Sequence, residues 1–141
     1  LKGLLRGLTS NRAETDPHSP DPRLRGRTYA ISFDQVWNAA LALSGGQLPR
    51  WSVSSADDGG GIIRARVRAR LLDNVDDVRI AVILDENGQT RVDVTSTSLL
   101  RKRDLGANAR HIHRFLRALD TKLGATQALI LDATREAQFS A

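Results

Sequence analysis

Arg64, Arg66, Arg68 and Arg70 stand at alternate positions among the apolar Ile63, Ala65, Val67, Ala69 and Leu71. Successive side chains of a strand point to opposite faces, so the pattern predicts a strand with one core face and one arginine face. Guanidinium groups bind phosphate and carboxylate as bidentate donors, so the chemistry this row offers is recognition of anions. Like charges on one face also repel. Either acidic neighbours such as Asp93 and Asp85 pair with them, or an anionic partner does. Arg79 and Arg91, on the next two apolar-polar alternations, fall on the same face.

Other residues with chemical potential are sparse. His111 and His113 are two apart on a predicted helix, where side chains two positions apart diverge by about 200°, so they do not share one metal ion. His18 is the remaining histidine, and the chain has no Gly-x-Ser-x-Gly elbow to present a nucleophilic serine. Asp73, Asp76 and Asp77 lack the alternating ligands, central glycine and terminal glutamate of a calcium loop, and read as a solvated turn. Gly59, Gly60 and Gly61 have neither the lysine nor the following helix of a phosphate loop, and read as a hairpin turn. Gly106 and Asn108 open a helix whose free N–H groups could hold an anion, but packing or capping explains them more cheaply. No catalytic site, metal or cofactor is expected.

Composition sets the wider frame. The 141 residues suit one domain with tails, 40% hydrophobic and 26% charged, and no apolar run approaches the roughly 18 residues of a membrane span. The net charge is +5, carried almost wholly by arginine, since Lys2, Lys102 and Lys122 are the only lysines. Such a balance favours anionic partners, though a GC-rich genome also enriches arginine. Cysteine is absent, which removes disulfides and thiolate chemistry. A chain that begins at Leu1 leaves room for an upstream signal or anchor. Nucleic acid is disfavoured, because single-strand binding uses exposed aromatics and Phe33, Trp37, Trp51 and Phe115 are expected in the core.

The elements that would position these residues can be read from periodicity. Leu1, Leu4, Leu5 and Leu8 recur at helical spacing opposite Lys2 and Arg6, predicting a short basic amphipathic start suited to a membrane surface or a neighbouring protein. Residues 10–27, with Pro17, Pro20, Pro22 and Gly26, read as a linker, so that residues 1–26 precede the domain proper. A strand is predicted over Thr28 to Ile31. Ser32 with Gln35 then forms a capping-box signature before a helix whose stripe is Phe33, Val36, Trp37, Ala40, Leu41 and Leu43, stopping at Gly45-Gly46. Trp51 and Val53 begin the strands, and Asn87-Gly88 predicts a three-residue hairpin loop that sets Val82 opposite Val92 and Ile80 opposite Val94. Asp104 is a candidate N-cap for a long amphipathic helix through Leu105, Ala109, Ile112, Leu116, Leu119 and Leu123, ending at Gly124. Residues 125–141 read as a short helix and tail. The predicted fold is α+β: an antiparallel sheet of about five strands with two amphipathic helices on one face, spanning residues 27–124.

Three stretches together resemble a known family. Asp76-Asp77-Val78, Arg91-Val92-Asp93-Val94 with serines after it, and Asp104-Leu105-Gly106-Ala107-Asn108-Ala109-Arg110 are similar to the signature of the bacterial domain-of-unknown-function family numbered 1499. At Leu99 and Arg101 the sequence departs from the arginine and glycine expected there. The resemblance covers about Arg27 to Gly124 and implies no defined activity. It implies attachment to the cell envelope, since members are often found with an upstream hydrophobic segment.

The expectation is therefore a non-catalytic binding or assembly module at a membrane surface, for instance an accessory subunit of a membrane protein complex. Arg64, Arg66, Arg68, Arg70, Arg79 and Arg91 are its candidate anion-binding residues. Leu1, Leu4, Leu5 and Leu8 are its candidate membrane or partner contacts, expected to be exposed when the chain is alone. The alternative is a carrier or sensor that holds a lipid-like or anionic small ligand between the sheet and the last helix.

Overall fold

Alternating side chains build the centre of a sheet that continues, at one edge, into strands of only two or three residues. The computed structural model describes residues 11–68, 75–99, 106–125 and 129–131. Its centre is an antiparallel meander of β3 (Trp51–Asp57), β4 (Ile62–Arg68), β5 (Val75–Leu84) and β6 (Thr90–Ser98). Ile63, Ala65, Val67, Val78, Ile80, Val82, Val92 and Val94 are buried on one face of it. The expected register holds, with Ile80 opposite Val94 and Val82 opposite Val92. Gly88 supplies the left-handed residue (φ 73°) of the tight loop, and the Asp85 carboxylate accepts from the N–H groups of Asn87 and Gln89 at 2.9 Å. The glycine run is likewise a hairpin turn, in which Gly61 (φ 70°) lies so close to the Val82 carbonyl that a Cβ would collide with it.

With β1 (Arg12–Glu14), β2 (Arg27–Tyr29) and β7 (Ile130–Leu131), seven described strands replace the expected five, in the order β3-β4-β5-β6-β2-β7 with β1 also on β6. β6 is long enough to carry two short partners along one edge. Its residues 95–97 pair with β1 (Arg12–Glu14), and its residues 90–92 pair with β2 (Arg27–Tyr29). The segment expected as a linker thus begins with a three-residue strand and continues as an excursion. Residues between β1 and β2 leave the sheet, are closed by a 2.7 Å bond from Asp16 N–H to the Leu24 carbonyl, and include a single 3-10 turn at Pro22–Leu24. Ala13 and Leu24 are its buried apolar side chains, too few to produce a periodic signal. β7 (Ile130–Leu131), expected within a short helix, instead pairs with the free side of β2 and supplies its missing hydrogen bonds.

Two helices cover the apolar face. α1 (Phe33–Ala42) is capped as anticipated, Ser32 Oγ accepting from Gln35 N–H at 3.3 Å, and it buries Val36, Trp37, Ala39 and Ala40. A π-helical turn, Leu43–Gln47, ends it with Gly46 at φ 134°. α2 (Ala107–Lys122) buries Ile112, Phe115, Leu116 and Leu119 and stops at Gly124 (φ 61°). Its cap residue is Gly106, at φ 83°, while Asp104 lies outside the described residues. Trp51 stacks on Phe115 with ring centroids 5.6 Å apart, filling the layer between sheet and helix.

Candidate functional site

The face of the sheet turned away from the helices carries the arginines. Arg64, Arg66, Arg68, Arg79 and Arg91 are all exposed there, and cross-strand register orders them. One row runs Ser52, Arg66, Asp77, Thr97, Arg12, and the next runs Ser55, Arg64, Arg79, Thr95, Glu14. Arg64 therefore stands directly opposite Arg79. The flanking serines and threonines are short, so the guanidinium groups project beyond their surroundings. Asp93, one of the two acids expected to neutralise the row, pairs instead with Arg91 at 3.0 Å. Asp85, the other, is engaged by the backbone of its own turn. Among the described residues, no carboxylate forms an ion pair with Arg64, Arg66, Arg68 or Arg79. Arg70 and Leu1, Leu4, Leu5 and Leu8 lie outside the described residues.

The opposite face ends in a buried polar cluster beneath the first turn of α2. Asn108 is fully buried, and its Oδ1 accepts from Ser96 Oγ at 2.6 Å while its Nδ2 donates to Ser98 Oγ at 2.9 Å and to the Asn11 carbonyl at 2.8 Å. One amide thus joins α2, β6 and the chain entering β1. One turn further along α2, the His111 imidazole meets the buried Asp76 carboxylate of β5, Nε2 to Oδ2 at 2.7 Å. The Trp51 ring lies edge-on to that imidazole, with centroids 6.4 Å apart. A carboxylate holding an imidazole is two-thirds of a hydrolytic relay. Among the described residues no serine or threonine hydroxyl bonds to His111, and Ser96 and Ser98 of β6 both bond to Asn108.

Part of this cluster comes from the sequence signature. Asp76, the serines of β6 and Asn108 are brought to one place, and a model of the proteins of unknown function designated DUF1499 matches residues 8–119. The chain belongs to that family. No curated protein matches it. The DUF1499 match takes in β1 and the excursion, in agreement with the pairing of β1 to β6. Asp77, the other aspartate of the signature, points to the open face opposite Arg66.

The far end of α2 holds a second polar set that sequence reasoning missed. The Asp120 carboxylate accepts from Tyr29 Oη at 2.5 Å and from Arg27 Nε at 3.1 Å, tying β2 to α2. Burial, with the Asp120 bond added, pushes the Tyr29 phenol far above its ordinary pKa, so it remains a donor. In the excursion Arg23 grips Asp21 through Nε and Nη2, which holds that carboxyl below its ordinary value. His113 faces this region, and burial, reinforced by Arg117, Arg23 and Arg27, lowers its pKa. The two histidines thus serve different ends of the fold. The only sequence signal for Asp120 was its place on the helix stripe beside Leu116 and Leu119, a position where an unpaired carboxylate would be costly.

Proposed function

We propose that this DUF1499 domain is a non-catalytic docking module whose open sheet face meets an anionic membrane surface. The observation that carries the reading is the set of exposed arginines, Arg64, Arg66, Arg68 and Arg79, which form no ion pair with a carboxylate on the open face, although Asp77 stands opposite Arg66. A basic residue near an anionic leaflet is worth about 1 kcal/mol. Ile83, 37% exposed on the same face beside Arg91, adds a side chain able to enter the headgroup boundary. A protein partner would more typically meet a central aromatic or aliphatic anchor, and the described aromatics all lie on the helix side. The same placement removes the stacking platform that single-stranded nucleic acid uses. No described helix is long and apolar enough to cross a membrane.

The carrier reading has less support. The space between sheet and α2 is occupied by Trp51, Phe115, Ile112 and Leu119, and a cleft of about 820 Å³ elsewhere, lined by Gln35, Asn38, Ala39, Lys122, Leu123 and Leu129, is an open groove between α1 and the end of α2.

Flotation of the protein with phosphatidylglycerol-containing vesicles tests the docking reading against phosphatidylcholine vesicles. Binding to the anionic vesicles alone is expected, weakening as salt shortens the Debye length from about 10 Å at 0.1 M to about 3 Å at 1 M. Indifference to both vesicles at low salt overturns it.

A further inference from the structure

Charge on the open face is divided unevenly. On the β1–β6 side each exposed arginine within a strand has a carboxylate, Arg12 with Glu14 at 3.2 Å and Arg91 with Asp93 at 3.0 Å. Thr15 Oγ1 also donates to Asp93, at 3.4 Å, so that acid is doubly held. On the β4–β5 side the pairing fails at each register position. Arg64 faces Arg79, Arg68 faces Val75, and Arg66 faces Asp77 without forming an ion pair. Residues directly opposite on antiparallel strands hold their Cβ atoms about 5 Å apart, and like charges there are destabilising.

We infer that the contact patch is the β4–β5 half alone, and that its ligand is the phosphate group of an anionic lipid layer; this rests on the docking reading above. A tetrahedral phosphate offers several acceptor oxygens, and one placed between Arg64 and Arg79 receives donors from both guanidiniums while cancelling their repulsion. The β1–β6 half offers no such gain, because an incoming phosphate would have to displace Glu14 or Asp93. The domain therefore sits tilted, with its β3–β4 edge toward the lipid and the β1–β2 edge raised.

The test is vesicle flotation of the full chain with two variants that separate the halves. R64Q/R66Q/R79Q removes three unpaired charges. R12Q/E14Q/R91Q/D93N removes two ion pairs and leaves the net charge unchanged. At about fivefold per arginine, the first variant should bind roughly a hundredfold more weakly, and the second within about twofold of the parent. Equal loss in both variants overturns the localisation while leaving the docking reading intact, whereas failure of the parent to bind any anionic vesicle removes the docking reading itself. Vesicles charged with a fatty acid instead of phosphatidylglycerol isolate the phosphate. Weaker binding to them supports the assignment, and equal or tighter binding overturns it, as does preference for soluble polyglutamate over vesicles. Unchanged thermal unfolding of both variants shows that binding, and not folding, has been altered.

Discussion

Asp76 and Asp77 are neighbours in the chain and opposites in circumstance. The pleat of β5 sends Asp76 inward, where it is buried against His111, and Asp77 outward, where it stands opposite Arg66 with no ion pair. The same division runs across the whole sheet. On the helix side the polar groups of Asn108, Ser96, Ser98, Asp76, Tyr29 and Asp120 find partners across two or three segments of chain. On the open side four arginines have none among the described residues. Burial explains the difference. A polar group out of water must be satisfied, at a cost of about 1–3 kcal/mol if it is not, whereas a solvated guanidinium can wait for an external partner. Residues that fix the fold and residues available for binding are therefore separated by one strand position.

The largest expected effect breaks the covered side. Asn108→Ala strands Ser96, Ser98 and the Asn11 carbonyl at once, and urea denaturation should show a loss of about 3 kcal/mol. A loss under about 1 kcal/mol would mean that water replaces the amide and that the two sides differ less than the geometry indicates.

Asp120→Ala should follow, destabilising by about 2 kcal/mol, since Arg27 and Tyr29 lose a shared acceptor in a half-buried site. A double-mutant cycle with Tyr29→Phe measures the part that belongs to the phenol. Independent, additive losses would refute a shared acceptor.

On the open side the sign should reverse. Arg64→Glu replaces a like-charge pair with an opposite-charge pair to Arg79, and stability should rise by up to about 0.5 kcal/mol. Destabilisation beyond about 1 kcal/mol would show that Arg64 already has a structural role.

The smallest effect is one of pH. With its folded pKa depressed below the usual 6.5, His113 takes up a proton more readily in the unfolded chain. Its contribution is full above pH 6.5 and is lost as pH falls from there through the folded value, so the melting temperature should decline on mild acidification. His113→Gln should flatten that limb and leave a second decline, below about pH 3.8, that Asp21 contributes with the same sign. An unchanged profile in the glutamine variant would assign the acid sensitivity elsewhere.

Strong periodicity made the centre of this molecule legible. Alternation in β4, β5 and β6 specifies which side chains are buried, because a one-residue slip would turn every valine to water, and Gly88 then specifies the register. The α1 cap at Ser32 and the stop at Gly124 are equally local, each decided by a side chain or a φ value within one turn. β1 and β7 were not legible. Three residues and two residues carry no measurable period, and they are strands only because β6 and β2 present open edges to them. The candidate site divides in the same way. Alternation alone placed Arg64, Arg66, Arg68, Arg79 and Arg91 on one face, since that depends on the two-residue pleat. Neutralisation of Arg91 is itself local, since Asp93 lies two residues further along β6, whereas that Arg64 stands opposite another arginine, Arg79, is decided by the register between β4 and β5. Asn108 and Asp120 show the same limit on the covered side. Nothing near them in sequence names Ser96, Asn11 or Tyr29 as partners, and only packing of α2 across β6 and β2 brings those groups within hydrogen-bond reach.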